Sequence, residues 1–319
     1  MNMRRFVDEH YLHFNAGTVR EACQSLRTLV EGGGKIFLTL AGAMSTAEIG
    51  RTLAELIRDG CIAGISCTGA NLEEDVFNLV AHDHYVRIDR HEDLSPQDEM
   101  DLLKQGLNRV TDTCIPEAVA IRAIEGHLLE AWKNATADDT SALPHQYLYE
   151  LLRSGALEAA YQAKPEHSWL LAAAQADLPL FVPGWEDSTL GNIFAARATQ
   201  GIVDPNIVQG GVHYMTSLIE FYRATTNPLA ILQVGGGIAG DFPLCVVPLL
   251  HQDLGEIDVP LWAWFAQITD ATASYGGFSG APPNEKITWG KLGPSTPRYN
   301  IQSDASIVLP LMFAYLLNW

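Results

Sequence analysis

The sequence predicts an α/β protein built on a doubly wound, mostly parallel sheet with helices on both faces, and three observations predict it. Two strand-to-loop-to-helix units follow one another between residues 35 and 80, and consecutive units of that kind favour parallel pairing through helical crossovers. Further apolar runs bounded by Gly or Pro recur at residues 178–184, 228–234 and 260–269, as buried strands do. The ends of these runs carry Gly, Ser, Thr or Asp, the residue types that line the ligand crevice at the carboxyl edge of such a Rossmann-like sheet.

In chain order, Val19, Ala22, Leu26 and Val30 repeat at spacings of three and four, so the segment to residue 34 reads as helix. Gly32, Gly33 and Gly34 stop it. We expect this segment to pack on a single domain spanning residues 1–319. KIFLTLAG (35–42) reads as a buried strand, and AMSTAEIGRTLAELIRDG (43–60) as small residues leading into a helix. CIAGISC (61–67) is the next strand, followed by a loop and helix in TGANLEEDVFNLV. Ala43, Met44 and Ser45 thus lie at one strand end, and Thr68, Gly69, Ala70 and Asn71 at another. Residues 83–132 read as polar and helical, with RIDRHEDLSPQDEMD an exposed excursion, and 134–142 as a polar linker. The run at 178–184 leads into WEDSTLGN, which places Asp187, Ser188, Thr189 and Asn192 at its end. PLAILQVGGG runs into Gly235, Gly236 and Gly237, which let a backbone approach a ligand closely. PLWAWFAQIT ends in the polar Thr269 and Asp270. No short repeat or low-complexity tract interrupts this plan.

The balance of 20 Lys and Arg against 38 Asp and Glu, a formal charge of −18, excludes a basic nucleic-acid footprint and favours cationic partners. No apolar run of 18 residues and no signal-like start occur, so a cytoplasmic protein without membrane contact is expected. Cys23, Cys61, Cys67, Cys114 and Cys245 are scattered without a CxxC pair, which predicts neither a disulfide framework nor zinc. His82, His84 and His91 read as surface or packing residues rather than metal ligands.

The most informative stretch is SGAPPNEKITWGKL, residues 279–292, whose prolines and glycines suit a loop. Glu285, Trp289 and Lys291 fall four and two apart, so a turn or hook can bring a carboxylate, an aromatic wall and an amine together. Such a trio suits a bound amine. The carboxylate pairs with a cation, the indole holds an ammonium, and a shielded lysine can lose its proton and attack a carbonyl or imine.

NEKITWGKL, the glycines 235–237, the acidic Glu73, Glu74 and Asp75 after Thr68 and Gly69, EDSTLGN (186–192) and SDAS (303–306) occur in one order across most of the chain. Together they resemble the deoxyhypusine synthase family. The resemblance implies NAD as cofactor, spermidine as donor, a lysine imine intermediate at Lys291, and a homotetramer with active sites at subunit interfaces. NAD would not be read from the residues alone, because a GxGxxG followed by an acidic residue is absent. Carried over by position, the cofactor-binding residues are Ser45, Thr68, Gly69, Glu74, Asp187, Thr189, Gly236, Asp304 and Ala305.

Three positions depart from the family pattern. Asp241 stands where the family has a His, Asn192 where it has an Asp, and Phe278 replaces an acidic residue in the segment YGGFSGA, which also holds Ser279. The implied amine pocket gains one carboxylate and loses two, which leaves Glu73, Glu74, Asn192, Asp241, Ser279, Glu285 and Trp289 as the substrate-binding set. The expected activity is therefore transfer of an aminobutyl group to a small amine such as putrescine, giving homospermidine. Two other readings stand beside it: modification of a protein lysine, and a polyamine- or nucleotide-binding protein without turnover. For Lys291 to act it must be uncharged, so its burial against Trp289 and a distance from Glu285 are expected.

Overall fold

The computed structural model describes residues 2–273 and 276–319. Its strands are β1 (Lys35–Leu40), β2 (Ile62–Cys67), β3 (Val86–Arg87), β4 (Leu107–Val110), β5 (Thr113–Pro116), β6 (Leu180–Phe181), β7 (Leu229–Val234), β8 (Trp264–Thr269) and β9 (Arg298–Gln302). Six of them form one sheet in the order β6-β2-β1-β7-β8-β9, with every neighbouring pair parallel and helices packed around it. This is the predicted doubly wound α/β fold.

The central strands are buried along almost their whole length, as strands covered on both faces must be. Phe37 on β1 packs against Phe181, Phe221 and Trp262 with ring centroids 5.6–5.9 Å apart. Each such ring contributes roughly 1.5–3 kcal/mol by leaving water. Strand order reverses between β1 and β7, since the chain steps from β1 out to β2 and β6, then returns beside β1 before stepping the other way. The two strands stay joined just past their ends, where the Ala41 N–H donates to the Val234 carbonyl at 3.1 Å. A crevice for a ligand forms at such a reversal.

The N-terminal helices Met3–His10 and Phe14–Glu31 bury Val7, Val19, Ala22 and Leu26. They lie against β9 and the last helix, Ala305–Leu317, where the Tyr315 hydroxyl donates to Asp8 at 3.0 Å. Among the described residues no helix is long and apolar enough to cross a membrane, and all five cysteines are unpaired.

The structure departs from the sequence reading in four places. Residues 83–132 are not simply helical: β3, β5 and β4 form a second, antiparallel sheet there. The expected linker begins inside the helix Arg122–Ala137. TGAN is no loop, because Thr68 caps the helix Gly69–Ala81 directly at the end of β2. Finally, RYNIQ is a sixth strand of the main sheet, a polar edge strand in which only Ile301 is buried.

Candidate active site

Residues 279–292 are not a plain loop. The Pro282 and Pro283 carbonyls accept from the Glu285 and Lys286 N–H groups at 3.0 and 3.2 Å, which starts the one-turn helix Glu285–Thr288. Gly290, at φ +69°, turns the chain back so that the Lys291 N–H donates to the Lys286 carbonyl at 3.0 Å. A side chain with a Cβ rarely adopts that φ. Leu292, buried, anchors the returning strand of this hook.

The hook carries Lys291 inward, where its Nζ lies 2.5 Å from Oδ1 of Asp241 on the helix Gly237–Leu244. Only 8% of the lysine side chain is exposed, against 39% of the aspartate's. The rings of Phe278 and Trp289 stand 5.9 and 5.8 Å from the amine. Lys291 is thus shielded, but not in the expected manner. Trp289 is itself 66% exposed, and the carboxylate at the amine is Asp241, while Glu285 lies at the surface. Cys245 Sγ lies 3.8 Å from the other oxygen of Asp241. Burial, aided by the Asp241 charge, pushes its thiol up from the ordinary range.

A second amine belongs to this cluster. Lys286 is 3% exposed, and among the described residues its Nζ has no hydrogen-bond partner. It sits 4.9 Å from the ring centroids of both Phe265 on β8 and Phe278. Burial first, and then the charge of Lys291, bring it down to about 8, opposed by Asp241 and Glu285.

Below the hook, the glycines after β7 are shaped by two strand glutamines. Gln233 and Gln267, paired across β7 and β8, each donate to the Gly235 carbonyl at 3.0 Å, and Gln267 also donates to the Ser279 carbonyl at 2.9 Å. A Cβ on Gly236 would fall 2.3 Å from Ser279 Oγ, so that position admits only glycine. Gly237, at φ +61°, has open space where a Cβ would point. Nearby, Asp304 caps the last helix by accepting from the Ser306 N–H at 2.7 Å, with Ala305 as that helix's first residue.

The β2 and β6 side is organised differently. Both oxygens of Glu73 accept backbone N–H groups, from Thr189 at 2.8 Å and Leu190 at 2.7 Å, so this carboxylate caps the helix Thr189–Thr199. Asp75 likewise holds the helix Trp169–Ala176, accepting from Ser168 Oγ at 2.5 Å and the Leu170 N–H at 3.1 Å. Between them, Glu74 accepts from Thr46 Oγ1 at 2.6 Å, and burial pushes its carboxyl up to about 7. Asn71 ties the ends of β1 and β2 together, donating to the Gly42 carbonyl and to Thr68 Oγ1, both at 2.8 Å. Ser45 is part of that clasp. Its Oγ donates to the Asn71 carbonyl at 2.6 Å and accepts from Trp169 Nε1 at 2.9 Å. Gly69 is required by Ser188, whose Cβ would lie 2.4 Å from an added methyl.

Asp187, Thr189 and Asn192 line a cleft of about 620 Å³ whose far wall includes Glu117 and Arg122. The Asn192 amide donates to the Glu186 and Ser188 carbonyls at 3.0 and 2.6 Å, a task an Asp at this position could not perform. The two sides meet where Ile238 packs 3.5 Å from the Cβ position of Gly184, because the helix Gly237–Leu244 crosses β1 and β2. The predicted residues therefore fall into two groups: Asp241, Ser279, Trp289 and Lys291 around the hook and glycines, and Thr68, Gly69, Glu73, Glu74 and Thr189 around the acidic helix. Sequence reasoning missed Lys286, Gln233 and Gln267. A polar residue near the end of an otherwise apolar run was the available signal for the glutamines.

A parallel α/β sheet with glycines at its switch point and a sequestered lysine beside a carboxylate is an arrangement suited to binding and handling amines. Comparison with known proteins makes this specific. The family model described as deoxyhypusine synthase matches residues 8–316, and the chain belongs to that family. It is accordingly a transferase of alkyl groups. A deoxyhypusine synthase-like protein of Nostoc punctiforme is 30% identical, over 100% of this chain and 80% of its own length. One from Cyanothece sp. is 31% identical over 98% and 78%. A crystal structure of a candidate deoxyhypusine synthase from Entamoeba histolytica superposes with a TM-score of 0.59 at 14% identity, covering 99% of this chain and 92% of that one, and so shares the fold.

Proposed function

We propose that the protein moves the aminobutyl group of spermidine to a small amine, putrescine above all, through an imine on Lys291 and with NAD as cofactor. The observation that carries this reading is the buried Lys291 amine paired with the partly exposed Asp241 beside an aromatic wall. In the free protein Asp241 holds the lysine in place. A substrate ammonium entering the site competes for the same carboxylate, which releases Lys291 from its counter-charge and favours the uncharged amine in a site with little water. Lys291 then attacks the oxidised donor carbon, 1,3-diaminopropane leaves with its nitrogen, and the acceptor amine displaces Lys291 in turn. Over the cycle spermidine and putrescine become homospermidine and 1,3-diaminopropane.

NAD, when bound, supplies the hydride acceptor that makes the donor carbon electrophilic and returns the hydride at the end, so none is consumed. The residues present fit it. Gly236 keeps the backbone open at the switch point, and the helices Gly69–Ala81 and Ala305–Leu317 begin just past the ends of β2 and β9, where first-turn N–H groups suit an anion. Thr68, Gly69, Glu74, Asp187, Thr189, Asp304 and Ala305 would hold the cofactor. Ser45 and Glu73 we assign to support, since their polar atoms are already engaged. Glu285 and Trp289, exposed at the mouth, would receive the distal ammonium. Exposed Ile238, Trp289 and Ile307 beside the site support a homo-oligomer, a tetramer by family analogy.

Incubation with spermidine, putrescine and NAD should yield equal amounts of homospermidine and 1,3-diaminopropane by mass spectrometry. Neither product forming under conditions where NAD binds would refute the reading. A protein-lysine acceptor would show instead as aminobutylation of a partner protein.

A further inference from the structure

Lys286 is not explained by the account above. Lysine is seldom fully buried without a partner, and an ammonium sealed from water without one is costly. A leucine or methionine would fill the space between Phe265 and Phe278 without that cost. Yet the amine is held there by the turn that also presents Lys291, the two residues being joined by the Lys291 N–H to Lys286 carbonyl bond. Both amines face the Phe278 ring, at 4.9 and 5.9 Å from its centroid. Among the described residues, the ionisable groups around them are Asp241, Cys245 and Glu285.

We infer that Lys286 and Lys291 form a charge-coupled amine pair around the single carboxylate of Asp241, in which Lys286 acts as a positioning residue whose charge raises the reactivity of the Lys291 amine. The inference rests on Lys291 being the nucleophile. Asp241 can neutralise one ammonium only, so a doubly charged pair leaves one positive charge buried. The presence of charge on Lys291 disfavours charge on Lys286, and a coupling of this kind is reciprocal. When a substrate ammonium takes Asp241, the cluster carries still more positive charge and sheds a proton. A lysine beside a second cationic group is a known means of making such an amine nucleophilic.

The test uses the full-length protein without substrate or cofactor, lysine-labelled with ¹³C at Cε. NMR titration should show the Lys286 signal moving with a midpoint near 8, and the Lys291 signal responding over the same interval, as coupled sites do. Reductive methylation of Lys291 by formaldehyde and cyanoborohydride, mapped by peptide mass, should slow about three- to tenfold at pH 7 in Lys286→Met, a tenfold change corresponding to one pH unit. Its pH profile should move to higher pH in that variant, and Lys286→Arg, which keeps the charge, should restore the wild-type profile. Loss of packing alone would not be corrected by arginine. A Lys286 signal in the ordinary lysine range, or Lys291 labelling unchanged in Lys286→Met, would overturn the inference. If Lys286→Met does not fold, the wild-type titration decides alone. Coupling observed in a protein that forms no homospermidine would support the pair and refute the functional reading.

Discussion

The acidic helix after β2 and the hook after β8 both gather buried charge, but they hold it in opposite ways. In the first, Glu73 and Asp75 spend their oxygens on backbone N–H groups and a serine, each fixing the start of another helix. In the second, two amines face one half-exposed carboxylate, and one of them has no hydrogen bond among the described residues. A buried charge satisfied by backbone is architecture. A buried charge left short of partners is held ready for a ligand or a proton.

Substitutions can break this contrast. Lys291→Ala should lower aminobutyl transfer by at least about a thousandfold, since it removes the covalent nucleophile, whereas Glu73→Gln should leave the turnover of the folded protein near wild type. Equal losses in both, measured by product formation per folded enzyme, would erase the distinction. Asp241→Asn should reduce kcat/KM for a cationic donor by about 10- to 100-fold, with little change in Tm because the residue is partly exposed. Glu73→Ala should act the other way, costing about 2–3 kcal/mol through the lost cap on the helix Thr189–Thr199. Thermal unfolding should register that loss as a Tm lower by several degrees.

The smallest effect is a pH slope. Burial raises the Glu74 carboxyl in the folded protein from 4.5 to about 7, so the folded state binds the proton more tightly than the unfolded chain. Stability is then full below about 4.5 and falls as pH rises towards 7. Glu74→Gln should remove about 1–2 kcal/mol of that fall, measured as the difference in urea midpoint between pH 5 and 8. Lys286 works in reverse, since its folded value is lowered. Stability should rise between pH 8 and 10.5, and Lys286→Met should flatten that rise.

The main sheet was legible because its strands are apolar runs with sharp ends: β1, β2, β7 and β8 lie inside the stretches read from the sequence. β9 was not, since an edge strand needs one buried residue and RYNIQ shows only Ile301. The antiparallel sheet at 86–116 escaped for a related reason, its strands being two to four residues long, with no buried residue in β3 or β4. At the site, the hook around Lys291 could be read from its prolines, glycines and family motif. The partner of Lys291 could not, because Asp241 approaches from a helix fifty residues earlier. Lys286 could not be read either, because its shelter comes from Phe265 on β8. Glu73 shows the converse, a motif residue whose duty is decided by the backbone of Thr189 and Leu190.

The central claim is that Lys291 takes up a four-carbon imine from the donor. Borohydride added to the protein with spermidine and NAD, followed by peptide mass mapping, should place a reduced aminobutyl adduct on Lys291, and Lys291→Ala should show none. An adduct confined to Lys286 or another residue, or no adduct while NAD and spermidine remain bound, would contradict the account.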